Sequence, residues 1–184
     1  VVTTAMQASA AKSELREDTV QFRLIAAPAY PELYDEMVTL NSDKDETAFV
    51  IVDAPFRLNQ TEAISWKQGT TATENGEDGL VTSNTYSAVY YPHALTTNPS
   101  SGDTVVAPAS HIALYTFAYS DNVSFPWFAP AGTRRGGITN ASATGFVNAE
   151  GEFTSVALNE GQRDTLYGNA INPVTFLSGA GLVN

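Results

Sequence analysis

The 184-residue sequence contains no cysteine and only two histidines, His93 and His111. Without cysteine there is no disulfide framework, no thiol nucleophile and no thiolate metal site, and the composition fits synthesis in a reducing cytoplasm. Two histidines could hold zinc only with carboxylates to complete the set, and no H-E-x-x-H or comparable spacing supplies one. Basic residues are scarce as well: 9 Lys and Arg stand against 20 Asp and Glu, a formal charge of −11. Binding to a nucleic-acid backbone is driven by Lys and Arg displacing condensed counterions, so no nucleic-acid partner is expected. Long apolar runs are also missing. The stretch 49–52 (Phe-Val-Ile-Val) is far shorter than the roughly 20 residues a membrane-spanning helix needs, so no membrane insertion is expected, and no signal peptide is visible. No glycine-rich phosphate loop follows a strand pattern, and no cofactor is expected.

What is present is a hydrophobic content of 43%, enough for one packed domain at this length. An acidic surface resists premature self-association, so any assembly must proceed through shape or from a template. The chain starts at Val1 and, after a glycine-rich turn at 178–181, runs into what reads as a new strand at Gly181-Leu-Val-Asn184. The expectation from both ends is a piece of a longer chain.

Residues 1–18 place Ala5, Ala8, Ala10, Ala11 and Leu15 at helical spacing. Acidic groups near the end oppose the macrodipole, so this helix should fray before Asp18 or be held by a tertiary contact. Residues 20–26 read as a strand and 31–41 as a helix opened by Pro31, with Leu33, Met37 and Leu40 on one face. The continuous apolar run 48–52 reads as a strand buried on both faces of a parallel sheet, which completes a β-α-β unit. Asp53 falls at its carboxyl end, where open α/β sheets often place ligand groups. Asp43, Asp45 and Asp53 nevertheless lack the spacing and glycine of a calcium loop, and Asp53 is read as capping the turn at Pro55.

Residues 59–68 form a second helix, capped by Asn59, with Ile64 and Trp66 as apolar contacts. The acidic run 74–79 reads as a solvated loop, and 87–91 as a third strand stopped by Pro92. Residues 96–103 are an exposed connection, and Val105 and Val106 add a short pairing segment. The pattern over 112–119 suits strand and helix equally. Residues 143–147 are extended and 150–152 form a turn. Asn159 with Gln162 makes a capping box for a helix whose apolar face is Leu166, Ala170 and Ile171, ended by Pro173.

A serine nucleophile would need a base and a third group. Ser110 adjoins His111, but neighbours on a helix or strand point apart, and no G-x-S-x-G elbow is present. Each histidine is read as structural or exposed. Carboxylate pairs cannot be placed from sequence. They leave one alternative, a carbohydrate-binding or carbohydrate-processing domain on a particle surface, with a solvent-facing aromatic cleft near Trp66 or Trp127.

The segment 121–137 breaks every pattern. Pro126 and Pro130 discourage helix and strand, yet Phe125, Trp127 and Phe128 offer large apolar surfaces there, followed by Arg134 and Arg135 between glycines. Such rings call either for burial against a neighbouring sheet or for a subunit contact.

Pro126-Trp-Phe-Ala-Pro-Ala-Gly132, the Arg-Gly pair after it, Asn140-Ala-Ser142, Gln162-Arg-Asp164 with Leu166-Tyr167, and Ile171-Asn-Pro173 resemble the tail sheath protein of contractile-tailed phages in order and spacing. Upstream, Tyr30-Pro-Glu-Leu33, Glu46-Thr-Ala-Phe49, Asp53-x-Pro55-Phe-Arg57, Glu74-Asn-Gly-Glu-Asp-Gly79 and Tyr90-Tyr-Pro92 extend the resemblance over residues 20–182, the central region and the start of the C-terminal region of a sheath. It implies an α/β fold with a mixed β-sheet flanked by helices, in which 112–119 is a helix leading into the Trp127 loop. The expected division is an N-terminal helical flank over 1–18 and a tail sheath core domain over 19–184. By the same resemblance the chain is no enzyme. It is a subunit of hexameric rings stacked around a tail tube, contracting on release by the baseplate, with the tube, baseplate and tail terminator proteins as partners. Its place is the virion, after assembly in the host cytoplasm. Pro126, Trp127, Phe128 and Pro130 are the expected supports of a rigid subunit body, and Arg134 or Arg135 its polar contact. The doubled Arg departs from the single Arg expected there. A related injection particle or bacteriocin tail carries the same resemblance.

Overall fold

In a computed structural model, residues 1–70, 78–81, 84–125 and 127–183 are described. The first helix, α1 (Val2–Ala10), is followed by a 3₁₀ turn at Ser13–Arg16. It ends earlier than the first 18 residues would allow. Arg16 folds back to donate from Nη1 to the carbonyls of Ala10 and Lys12 at 2.9 and 3.0 Å, and its Nε pairs with Asp43 at 2.6 Å. The last helical carbonyls are thus satisfied by a cation, which suits the negative end of the dipole.

Strand β1 (Leu24–Ala26) is shorter than expected: its register with β2 (Phe49–Asp53) starts at Leu24, just after the Arg23 carbonyl accepts from the Phe49 N–H at 2.8 Å. Between them a 3₁₀ turn at Pro31–Leu33 feeds α2 (Tyr34–Asp43), which buries Tyr34, Met37 and Leu40. Asn41 closes the unit: its amide donates to the Ala48 carbonyl and accepts from the Ala48 N–H, both at 2.9 Å, and so pins the helix end to the entry of β2. Next comes α3 (Gln60–Lys67), opened by the Asn59–Glu62 capping box. Strand β3 (Ser87–Tyr91) follows, and after a cis Tyr91–Pro92 bond β4 (His93–Thr97) and β5 (Thr104–Ala107) lead to α4 (Ala109–Val123). The ambiguous 112–119 segment is therefore helical.

Short α5 (Gly132–Arg135) and β6 (Gly137–Ile138) precede β7 (Ala143–Val147), β8 (Phe153–Ser155) and α6 (Glu160–Gly168). The expected capping box forms at Asn159 and Gln162. The helix stops before Ala170, which has φ 57°, so Ile171 opens strand β9 (Ile171–Pro173) rather than ending a helical face. Strands β10 (Thr175–Leu177) and β11 (Gly181–Val183) complete the described chain.

The α/β class and the flanking helices stand as expected. Strands of both senses sort into three sheets: a parallel sheet in the order β1-β2-β3-β9, and antiparallel sheets β5-β4-β7-β8 and β10-β11-β6. The parallel sheet divides the core. Val50, Val52, Val89 and Tyr91 meet Tyr34, Met37, Ala63, Trp66 and Leu166 on one face, while Ile51 and Tyr90 meet Ile112 and Ala113 of α4 on the other. Alternation along a strand sends successive side chains to opposite faces, which is why an unbroken apolar run was needed at 49–52.

In the antiparallel sheet, a Cβ at Gly145 would run into the Thr154 carbonyl oxygen of the neighbouring strand, whereas one at Gly168 would meet nothing within 4 Å. We expect Gly145→Ala to destabilise the fold by about 2–3 kcal/mol, as overpacking against backbone does. Gly168→Ala is expected to change stability by less than about 0.5 kcal/mol or to raise it slightly. Urea unfolding midpoints of the two variants check this.

Candidate functional site

Ser, His and Asp do come together in this fold, but not as a catalytic set. Asp53 leaves β2 on the α4 side and is 2% exposed. One carboxylate oxygen accepts from the Ser110 N–H, and the other accepts from the Ser110 hydroxyl and the Ala29 N–H, each at 2.8 Å. Asp53 therefore caps the buried start of α4 and the β1–α2 connection rather than the turn at Pro55. His93 lies alongside with no exposure. Its Nδ1 accepts from the Ala109 N–H at 3.2 Å and its Nε2 donates to the Pro55 carbonyl at 3.2 Å, while Phe56 stacks on the ring at 4.2 Å. Both ring nitrogens serve the backbone and the serine hydroxyl donates to the Asp53 carboxylate, so no imidazole faces the hydroxyl and the Ser-His-Asp relay order is not formed.

The other candidates for chemistry disperse. Asp43 pairs with Arg16 on the surface and Asp53 is buried among backbone donors, so the two do not converge on a cation. Among the described residues no three His, Asp or Glu side chains are grouped to hold a metal ion. Burial, and secondarily the Glu62 carboxylate, push the Tyr91 phenol well above its ordinary range. Trp66 is only 1% exposed and belongs to the core, which removes it as a sugar platform.

The aromatic loop is different. Phe125, Trp127 and Phe128 are 59%, 75% and 40% exposed, so burial against the sheet is not how these rings are accommodated. They satisfy one another instead. Phe125 and Trp127 stack at 4.7 Å with planes 3° apart, and Phe128 lies at 6.2 and 6.4 Å from them. The Arg135 guanidinium sits 4.6 Å over the Phe128 ring, with Nε donating to the Ala129 carbonyl at 3.1 Å. A cation over an aromatic face stabilises such a loop by about 0.5–1 kcal/mol at an exposed position. Arg134 projects into solvent, Pro130 is half-buried at the loop's base, and Pro126 lies outside the described residues.

Beneath the loop is an apolar cavity of about 550 Å³, walled by Phe49, Tyr90 and Phe117 on the α4 side of the parallel sheet and by Trp127, Phe128 and Tyr167 at its mouth. Phe49 and Phe117 stack at 5.8 Å across it. No Asp or Glu among the described residues lines this cavity, so the paired carboxylates of a glycosidase are not assembled there. Sequence reasoning gave Tyr167 no role in this surface, although it is 74% exposed. The signal was an aromatic on the polar side of a capped helix, next to the buried Leu166. The acidic run 74–79 lies outside the described residues except for Asp78 and Gly79.

The buried polar node makes a pH dependence. Burial holds His93 neutral, lowering its pKa from the ordinary value of about 6.5 against the opposing pull of Asp53. The unfolded imidazole takes a proton near that ordinary value. Below it the unfolded state binds more protons, and stability falls as pH drops towards the folded-state value, by at most about 1.4 kcal/mol per pH unit for this one group. In urea unfolding between pH 7.5 and 5.5, His93→Gln is expected to lower stability at both pH values and to flatten the slope relative to the unchanged protein.

No protein-family model matches the sequence. Over 133 residues, 72% of this chain, the sequence is 29% identical to the tail sheath protein of Enterobacteria phage T4, and the match spans 18% of that protein's length. The fold is similar to that of a chain in the cryo-EM structure of the anti-feeding prophage baseplate, 6-fold symmetrised. The TM-score is 0.54 at 21% identity, with 95% of this chain and 39% of that chain covered. The chain thus spans less than half the length of either relative, and within that span its sequence is similar to that of a contractile tail sheath protein and its fold to that of a baseplate chain of a contractile particle.

Proposed function

We propose that this chain is a body segment of a structural subunit that polymerises as stacked hexameric rings around a tail tube and contracts to drive the tube through a host envelope. The observation that carries the reading is the cluster of Phe125, Trp127 and Phe128. These rings stand exposed on a folded α/β body, held by each other and by Arg135. Exposed apolar clusters of this kind mark contact surfaces. The other side of the reading is chemical: Ser110, Asp53 and His93 are buried, the Ser110 hydroxyl bonded to the Asp53 carboxylate, and that carboxylate and both His93 nitrogens bonded to backbone groups. A rigid body with remade surface contacts is what contraction by subunit rotation requires, and no nucleotide is needed for it.

Within this reading residues 19–184 form the body and 1–18 a flank. Trp127, Phe128, Pro126 and Pro130 shape the contact loop, and Arg134 and Arg135 supply its charge. The partners are other copies of the subunit, the tail tube protein, and baseplate and tail terminator proteins. The location is the tail of a virion, assembled in the host cytoplasm.

Negative-stain microscopy of the full-length subunit expressed alone tests this, with the present chain in parallel. Hollow, helically striated tubes from the full-length protein are expected. The double variant Trp127→Ala/Phe128→Ala should raise the protein concentration needed for tubes at least about tenfold, equivalent to about 1.4 kcal/mol, while leaving the unfolding midpoint unchanged. A full-length protein that stays monodisperse at every salt and protein concentration overturns the reading. So does calorimetric sugar binding that is abolished by Trp127→Ala.

A further inference from the structure

The contact loop has a counterpart elsewhere on the same chain. Residues 122–149 contain no Asp or Glu and carry Arg134 and Arg135, a cationic stretch on a chain of net charge −11. The loop sits on the α4 side of the parallel sheet, over Phe49 and Tyr90. On the α2 side, at the carboxyl ends of β1 and β2, lies an open groove of about 540 Å³. Pro31, Pro55 and Phe56 line it with apolar surface, and Glu32, Asp78 and Arg57 bring charge to it. Glu32 and Asp78 are exposed, and Asp35, also exposed, follows Glu32 one turn along.

We propose that this groove receives the aromatic and arginine-bearing loop of a second copy of the chain. The inference rests on the polymeric reading above and names the contact it lacks. Shape and charge agree: the loop offers flat rings flanked by guanidinium groups, and the groove offers an apolar trough at which Glu32 and Asp78, with Asp35 nearby, outnumber the single cation Arg57. Elsewhere two copies of so acidic a chain repel, so a local positive patch meeting a negative one selects this pairing over others. Within one copy the loop and the groove lie on opposite faces of the sheet, so the loop cannot fill its own groove. The contact is therefore head-to-tail. A heterologous contact leaves a free loop at one end and a free groove at the other, and it propagates into rings or helices rather than closing as a dimer.

The absence of native cysteine makes this directly testable by cross-linking. The chain carrying both Arg134→Cys and Glu32→Cys, oxidised under native conditions at high protein concentration, is expected to give a non-reducing ladder of dimer, trimer and higher species. Yield should fall at least about threefold when the salt is raised to screen the charges. A control chain with Arg134→Cys and Glu150→Cys, the latter on the exposed β7–β8 turn, should give at least about fivefold less; circular dichroism of both variants establishes that they are folded. An equal yield from the control overturns the proposal. So does the absence of a ladder while the full-length protein forms tubes, an outcome that leaves the polymeric reading standing. A ladder without tubes from the full-length protein supports the contact and removes the sheath reading. Absence of a ladder together with binding to phosphatidylserine vesicles, lost on Arg134→Glu/Arg135→Glu, assigns the loop to an anionic membrane surface and overturns the proposal.

Discussion

The carboxylate of Asp53 is the constraint on which the arrangement of this molecule depends. A carboxyl group at 2% exposure is tolerated only where donors replace the lost water, and here a backbone N–H and a hydroxyl of Ser110 and the backbone N–H of Ala29 do so. Two of these donors belong to the first turn of α4, whose N–H groups would otherwise be orphaned at a buried helix start. One carboxylate thereby fixes the axis of α4 against the end of β2 and the path of the chain after β1. His93 extends the same node into the antiparallel sheet, since its ring bridges the Ala109 N–H and the Pro55 carbonyl from the first position of β4. Removal of the Asp53 carboxylate would strip the Ser110 and Ala29 donors of this acceptor, and removal of the His93 ring would strip the Ala109 N–H and the Pro55 carbonyl of theirs, each a larger loss than the bond itself where the group is buried.

With α4 fixed, the aromatic loop that follows it is fixed too. Helix α4 packs Ile112 and Ala113 onto the sheet and ends at Val123, so the chain emerges over the open side of β3 and β9. The loop then closes on itself through ring stacking and the Arg135 guanidinium, and the rings do not sink into the core. Its shape is set before any partner arrives. Preorganisation of this kind matters for assembly because little ordering entropy remains to oppose contact.

Much of the framework was legible because it rests on local signals. The apolar run 49–52 announced a strand buried on both faces, Asn59 announced a helix start as its cap, and Asn159 with Gln162 announced another through a capping box that forms as expected. What was not legible depended on distant partners. The segment 112–119 satisfied both periods because Phe117 faces the sheet beside Phe49 while Tyr115 and Tyr119 stay exposed, and only tertiary packing decides between helix and strand. Asp53 read as a local turn cap because its true partner is 57 residues away. The helix end near 169 was misplaced for a similar reason: the left-handed turn at Ala170 has no sequence signature, and Ile171 is recruited by Val89 of β3.

The candidate surface was legible only as a contradiction, too many rings in a segment unfit for regular structure. Composition there fits a covered loop, the commoner reason for such rings, as well as a contact, because both need apolar surface. Exposure separates them. Rings of a covered loop are protected by the body they complete, whereas Trp127, flanked by Phe125 and Phe128, remains 75% exposed. Keeping such a surface in water is unfavourable by about 25 cal/mol for each Å² of apolar area that could have been buried. A body so acidic that its copies repel can keep it without clumping, since charge suppresses unspecific encounters and leaves those in which shape and sign both match. On the proposed polymeric reading the excess of carboxylates and the exposed rings act together: the charge holds subunits apart until a geometry is presented in which the rings can be covered.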